Sequence, residues 1–141
     1  MVDPETGEYF QYDQVSQKLD QGDYSLVGLE HYVSIERKTL ADFVQTIIHG
    51  RNRWCAELER LEVGVVHPHV FVEADWADIE AEVYRSAAKP RAILASVDAF
   101  EHDFPSVKFR FCGSRLRAER MAVIKFSIIE KRIDKPKQKT A

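Results

Sequence analysis

Cysteine is scarce in this chain of 141 residues: there are two, Cys55 and Cys112. They lack metal-ligand spacing and make no disulfide framework. We expect two free, buried thiols in a reducing compartment. No apolar run approaches the ~20 residues a membrane helix needs, and the N-terminus lacks the basic-then-apolar order of a signal peptide. A soluble intracellular protein without a membrane partner is the expectation. A Gly-rich phosphate loop is missing too, which argues against nucleotide hydrolysis and a nucleotide cofactor. Neither an internal repeat nor a low-complexity linker is visible.

What is present is enough for one folded unit. Hydrophobic residues make up 45% of the chain, which supports a core and excludes global disorder. We expect a single domain over residues 1–134 and a charged, disordered tail over 135–141. The net charge of −3 is unevenly spread. Residues 110–141 hold ten Lys/Arg against three acids, a net of +7, so the rest must carry −10. A local basic face of this kind is able to meet phosphates, and a solvated tail accounts equally well for residues 131–141.

Asp3-Pro4-Glu5-Thr6-Gly7 reads as a turn, and Val15–Leu19 is too short to assign. Asp20-Gln21-Gly22-Asp23 is a second turn that feeds a strand over Tyr24–Gly28. After a reversal over Gly28–His31, Tyr32–Glu36 alternates and reads as a second strand, making a hairpin. Thr39 with Asp42 three residues on forms a capping-box variant, and Leu40, Phe43, Val44, Ile47 and Ile48 give the helix behind it a broad apolar face. Gly50 ends it. The pattern predicts a second helix from about Asn52 to Leu61, a loop over Val63–Pro68, and a short buried strand over Val70–Glu73. A helix over Asp78–Ser86 follows, then one opened by Pro90, a strand over Val107–Phe111, and a helix capped by Ser114 that runs to about Glu130. This order predicts an α/β fold: a central mixed sheet flanked by helices.

The hairpin concentrates unlike charges. Asp23 and Glu36 bring two carboxylates to adjacent strands, and the backbone carbonyl of Ile35 is a further oxygen beside them. Lys38 lies two residues past Glu36, so on a strand both point to one face. Hydrolysis of a phosphodiester needs a deprotonated water and a stabilised leaving oxygen. Oxygen ligands for a hard dication, with an ammonium near the transition-state charge, supply both. A bare Asp with Glu-x-Lys also occurs by chance as cross-strand ion pairs. His67-Pro68-His69 has no third ligand and reads as a loop, and Trp54, Trp76, Tyr84 and Phe100 read as core or interface.

The pattern is longer than that. Gly22-Asp23, twelve residues, Glu36-Arg37-Lys38, three residues and Asp42 match GDx(n)ERKx(3)D at every signature position. The chain thus resembles the XPF-type (XPF/Rad1-like) structure-specific nuclease domain, within the PD-(D/E)xK superfamily and its restriction-endonuclease-like core. Residues 42–51 and Val70–Glu73 agree with the family's next helix and strand, and Gly113-Ser114-Arg115 most resembles phage and bacterial members. The resemblance implies a Mg2+- or Mn2+-dependent DNA endonuclease acting on branched, flap or junction DNA, in repair or recombination. It would be cytoplasmic in a bacterial or phage-infected cell and nuclear in a eukaryote. Because no helix-hairpin-helix module is visible, we expect a homodimer or a larger protein partner to help position substrate. Asp23, Glu36 and the Ile35 carbonyl would be metal ligands, and Lys38 the catalytic lysine. Gly22, Arg37 and Asp42 are signature positions, of which Asp42 reads equally as a helix cap. Arg37 falls on the opposite strand face. Arg51, Arg53, Arg115 and Arg117 are candidate nucleic-acid contacts, and Arg51 and Arg53 read equally as solvated helix charge. Val2–Thr6 only faintly echoes the family's Asp-x-Arg-Glu-like element, lacking the Arg, so either a further acidic ligand comes from Glu5, Glu8 or upstream of Met1, or the site is incomplete. The alternative is a catalytically silent DNA-binding or scaffolding domain of the same fold, and an RNA nuclease of the same superfold is a third reading.

Overall fold

The computed structural model describes residues 23–134. Gly22, the early turns, Val15–Leu19, Glu5, Glu8 and the tail over 135–141 lie outside the described residues. The element order is β1 (Val33–Thr39), α1 (Leu40–Ile48), α2 (Arg51–Gly64), β2 (His67–Glu73), α3 (Trp76–Glu80), α4 (Pro90–Asp103), β3 (Lys108–Phe111) and α5 (Arg115–Asp134). From the second strand of the expected hairpin onward, it matches the expected succession of strands and helices. The three strands lie in the order β1-β2-β3, all parallel, with Glu36 opposite Val70 and His69 opposite Lys108. Among the described residues the antiparallel pairing is a single bridge between Tyr24 and Ile35.

Alternation along the strands sorts the core into two layers. One layer joins α1, α2, α3 and α4 to Val70 and Val72 of β2, around Phe43, Trp54, Leu58, Ile93 and Phe100. The other joins Ala118, Ala122 and Phe126 of α5 to Val33, Ile35 and Phe71. Even-numbered residues of β1 therefore face α1 and α2, and odd-numbered residues face α5. No helix among the described residues is long and apolar enough to cross a membrane.

Several expectations are corrected. Tyr24–Gly28 is not a strand beyond its one bridge. Gly28 takes a left-handed φ of 83°, Leu29 N–H donates to Leu26 O at 2.9 Å, and the Ser25 hydroxyl donates to the carbonyls of Leu29 and Val33. These local bonds close a turn where a ladder would have continued. β1 runs on to Thr39, three residues past the expected end. α2 extends through Val63-Gly64, and His67-Pro68-His69 opens β2 instead of forming a loop. Proline is tolerated there because His67 N–H donates toward β1, to Tyr32 O, so the nitrogen of Pro68 faces the β3 side. β3 pairing starts only at His69, and the ladder is intact. The helix expected over Asp78–Ser86 is the short α3. Glu82 has a left-handed φ of 54°, while Glu82 N–H donates to Ile79 O and Val83 N–H to Asp78 O, which ends the helix as a left-handed cap. α5 continues to Asp134, beyond Glu130.

The β3–α5 connection approaches the β2–α3 loop closely. Gly113 has φ +86°, its N–H donates to Ala74 O at 3.1 Å, and a Cβ there would lie 3.0 Å from Asp75 Oδ1. Gly113→Ala is expected to destabilise the domain by about 1–2 kcal/mol from the left-handed backbone alone, measured as a lowered midpoint in urea unfolding.

Candidate active site

The site is built around the C-terminal half of β1. Glu36 sits on the face toward α2 and is 8% exposed. Asp23 reaches the same place from the segment before β1. Its N–H and that of Tyr24 donate to Ile35 O at 3.1 and 3.0 Å, Ile35 N–H donates to Tyr24 O, and Arg37 N–H donates to Asp23 Oδ2 at 2.9 Å. These bonds fix the Asp23 carboxylate against the edge of β1. The Glu36 carboxyl is pushed up to about 7. Burial is the main cause, followed by the charges of Asp23 and Glu57, with Lys38 opposing.

Lys38 shares the Glu36 face, as the two-residue spacing predicts. Its Nζ lies 4.8 Å from the centroid of the buried Trp54 ring on α2, a cation–π distance. Among the described residues Lys38 forms no ion pair. The Ile35 carbonyl, expected to offer an oxygen to a cation, instead accepts both backbone donors of the bridge. Arg37 presents its N–H to that same edge, and its carbonyl points the same way by strand geometry.

The Arg37 side chain turns to the α5 face, as strand alternation requires. Its Nε lies 2.9 Å from Glu73 Oε2, its guanidinium 3.9 Å from Glu119 Oε1 on α5, and its Cζ 5.7 Å from the Tyr24 ring centroid. Arg37 thereby ties β1, β2, α5 and the bridge segment together. Glu73, the last residue of β2, belongs to this framework. Thr39 is the N-cap of α1, accepting the Asp42 N–H at 3.2 Å. Asp42 is exposed in the first turn, where a carboxylate suits the helix dipole.

Comparison with known proteins is decisive for the family. The ERCC4 domain matches residues 7–123. The chain belongs to the ERCC4 domain family. No curated protein matches it. XPF from Aeropyrum pernix is similar over 82% of this chain and 49% of that one, at 18% identity and a TM-score of 0.63. XPF from Aeropyrum pernix in complex with DNA is similar over 83% and 52%, at 19% identity and 0.61. The chain spans about half the length of those structures, and the likeness bears out the α/β fold.

The arginines of this ERCC4 domain divide. Arg51 donates to Ser96 Oγ at 2.8 Å and lies 5.0 Å from the Phe100 ring centroid, so it docks α2 onto α4. Arg53 is exposed. Arg115 pairs with Glu119 at 3.3 Å across one helical turn. Arg117 lies beside Gly113, and its N–H donates to Ser114 Oγ at 3.2 Å. None of the four lies among the charges that act on Glu36. Two residues on α2 join the site without being expected there. Trp54, read from the sequence as core or interface, is buried core, and Glu57 lies one turn on along α2. Their spacing of three residues was the available signal, since it places both on one helix face.

A carboxyl raised from 4.5 in the unfolded chain to about 7 in the folded one keeps its proton after the unfolded chain has lost it. Its stabilising contribution is full below pH 4.5 and lost as pH rises through 7. In the metal-free protein, Glu36→Gln is expected to be more stable than the parent at pH 8, by up to about 3 kcal/mol, and the gain shrinks toward pH 4.5. Thermal unfolding at both pH values measures it. Arg37→Met leaves Glu73 buried without its partner and is expected to cost about 3 kcal/mol. The double variant with Glu73→Met recovers most of that cost in a denaturant-unfolding cycle.

Proposed function

We propose that this ERCC4 domain is a divalent-cation-dependent endonuclease that hydrolyses phosphodiester bonds in branched, flap or junction DNA. The observation that carries the reading is the buried Glu36 carboxyl held against Asp23, with Lys38 on the same face. Burial raises the Glu36 carboxyl first, the charges of Asp23 and Glu57 add to it, and a cation held there would offset that repulsion. The donors are all oxygen, which suits a hard cation such as Mg2+ or Mn2+. Asp23 and Glu36 would hold it, with the Arg37 carbonyl the backbone oxygen on the same edge. When bound, the cation would supply Lewis acidity toward the scissile phosphate and its attacking water.

The chain's own groups do the rest. The Asp23 carboxylate is positioned by the Arg37 N–H, which it accepts, and so reorganises little when charge develops. Lys38, supported by the Trp54 face, orients the attacking water or offsets charge on the phosphorane-like transition state. Thr39 ends the strand just past Lys38 and caps α1. The structure of XPF from Aeropyrum pernix with DNA supports DNA as the ligand class.

One observation favours a second reading, a catalytically silent DNA-binding or scaffolding domain. Among the described residues no group of three His, Cys, Asp or Glu is placed to hold a metal ion. Calorimetric titration with Mn2+ separates the two, because a silent site takes up no cation specifically. On the nuclease reading, Glu36→Ala and Lys38→Ala are each expected to lower flap or four-way-junction cleavage in Mg2+ by about 100-fold or more, by the usual scale of such losses, with DNA binding retained. Cleavage at the parental rate by both variants would overturn the assignment.

A further inference from the structure

The α5 face of the sheet holds a cluster of cations that the active site does not use. His69 stands opposite Lys108 in the parallel register, and Phe71 stands opposite Arg110. Residues two apart on a strand share a face, so His67 and His69 of β2 lie beside Lys108 and Arg110 of β3. α5 covers this face and adds Lys125 next to Phe126, which is part of the core there. Exposed Tyr32 lies edge-on to His67, with ring centroids 4.9 Å apart. His67, Lys108 and Arg110 are exposed and Lys125 is half-buried, while His69 is buried beneath them. The His69 imidazole is pushed down to about 4, by burial first and then by Lys125, His67, Arg110 and Lys108. No carboxylate is among the groups acting on it. Among the described residues none of Lys108, Arg110 and Lys125 forms an ion pair.

Like charges gather without counter-ions at a cost in stability, and this chain has acids to spare. Cations on β3, an edge strand among the described residues, would discourage edge-to-edge pairing. That accounts for Lys108 and Arg110 but not for Lys125 on α5. A polyanion accounts for the three cations together. A strand of nucleic acid offers phosphates at regular spacing to the cations and a base to the exposed Tyr32 ring.

We propose that His67, Lys108, Arg110 and Lys125 form a second nucleic-acid surface, which binds the phosphodiester backbone of DNA on the sheet face opposite Glu36 and Lys38. The inference rests on DNA as this domain's substrate. A branched molecule has more than one arm, and this surface holds an arm that the catalytic face does not cut.

The test is equilibrium binding of a fluorescent flap DNA to the metal-free full chain across a salt series, with cleavage in Mg2+ measured in parallel. Lys108→Glu/Arg110→Glu is expected to bind at least about tenfold more weakly at low salt, with a slope of log affinity against log salt shallower by about 2, or about one unit for each phosphate no longer neutralised. Lys125→Gln should lower the slope by about 1. Should charge reversal prevent folding, Lys108→Gln/Arg110→Gln gives the same slope reading. Binding that depends on the patch, without any cleavage by the parent, would sink the nuclease reading and leave the surface standing. Parental affinity and slope in the patch variants would overturn the surface. A parent that sediments as a dimer and a double variant that sediments as a monomer with unchanged DNA affinity would also overturn it, assigning the patch to a protein contact.

Discussion

Two carboxylates are held against each other at the edge of β1, and one of them is nearly buried. Burial raises Glu36 to about 7, and Asp23 and Glu57 add to the effect. A fold seldom holds such an arrangement for stability, because either carboxylate would be better solvated apart. The surrounding structure has to over-determine it. The Arg37 N–H fixes the Asp23 side chain, the bridge to Ile35 fixes its backbone, and β1 is fixed in turn by parallel pairing with β2 through seven residue pairs.

Strand alternation then divides the work of three adjacent charged residues. Glu36 and Lys38 face α2, and Arg37 faces α5. Arg37 contributes to the site only through its backbone, while its side chain binds Glu73 and reaches Glu119 and Tyr24. One residue thus anchors Asp23 on one edge and locks the opposite face of the sheet. The adjacency of Glu, Arg and Lys in the signature is a geometric requirement. Moving any of the three by one position would put its side chain on the wrong face.

Much of this was legible because it depends on short spacings. The shared face of Glu36 and Lys38 follows from a separation of two, and α1 from its apolar pattern behind Thr39. What was hidden depends on contacts between distant segments. Nothing local in Tyr24–Gly28 says that Ser25 will bond the chain back on itself and leave a single bridge. Pro68 reads as a strand breaker until the extent of β3 is known. α3 stops early because Glu82 adopts a left-handed backbone, which its residue type does not announce. Trp54 and Glu57 join the site only because α2 folds across β1, and a sequence offers no distance between a strand and the second helix after it.

The placement of Lys38 depends on that same helix. A lysine two residues from a buried glutamate has an obvious partner, and a direct pair would have neutralised Glu36 and lowered its carboxyl to the ordinary range. The opposite is found: Glu36 is raised in spite of Lys38. The ammonium rests over the Trp54 ring, whose face attracts a cation without donating an anion to it. An aromatic at this position therefore keeps three charges close without letting them cancel. Aliphatic packing in its place would preserve the core and remove the ring face on which the ammonium rests. The core of α2 and the electrostatics of β1 are for this reason a single constraint.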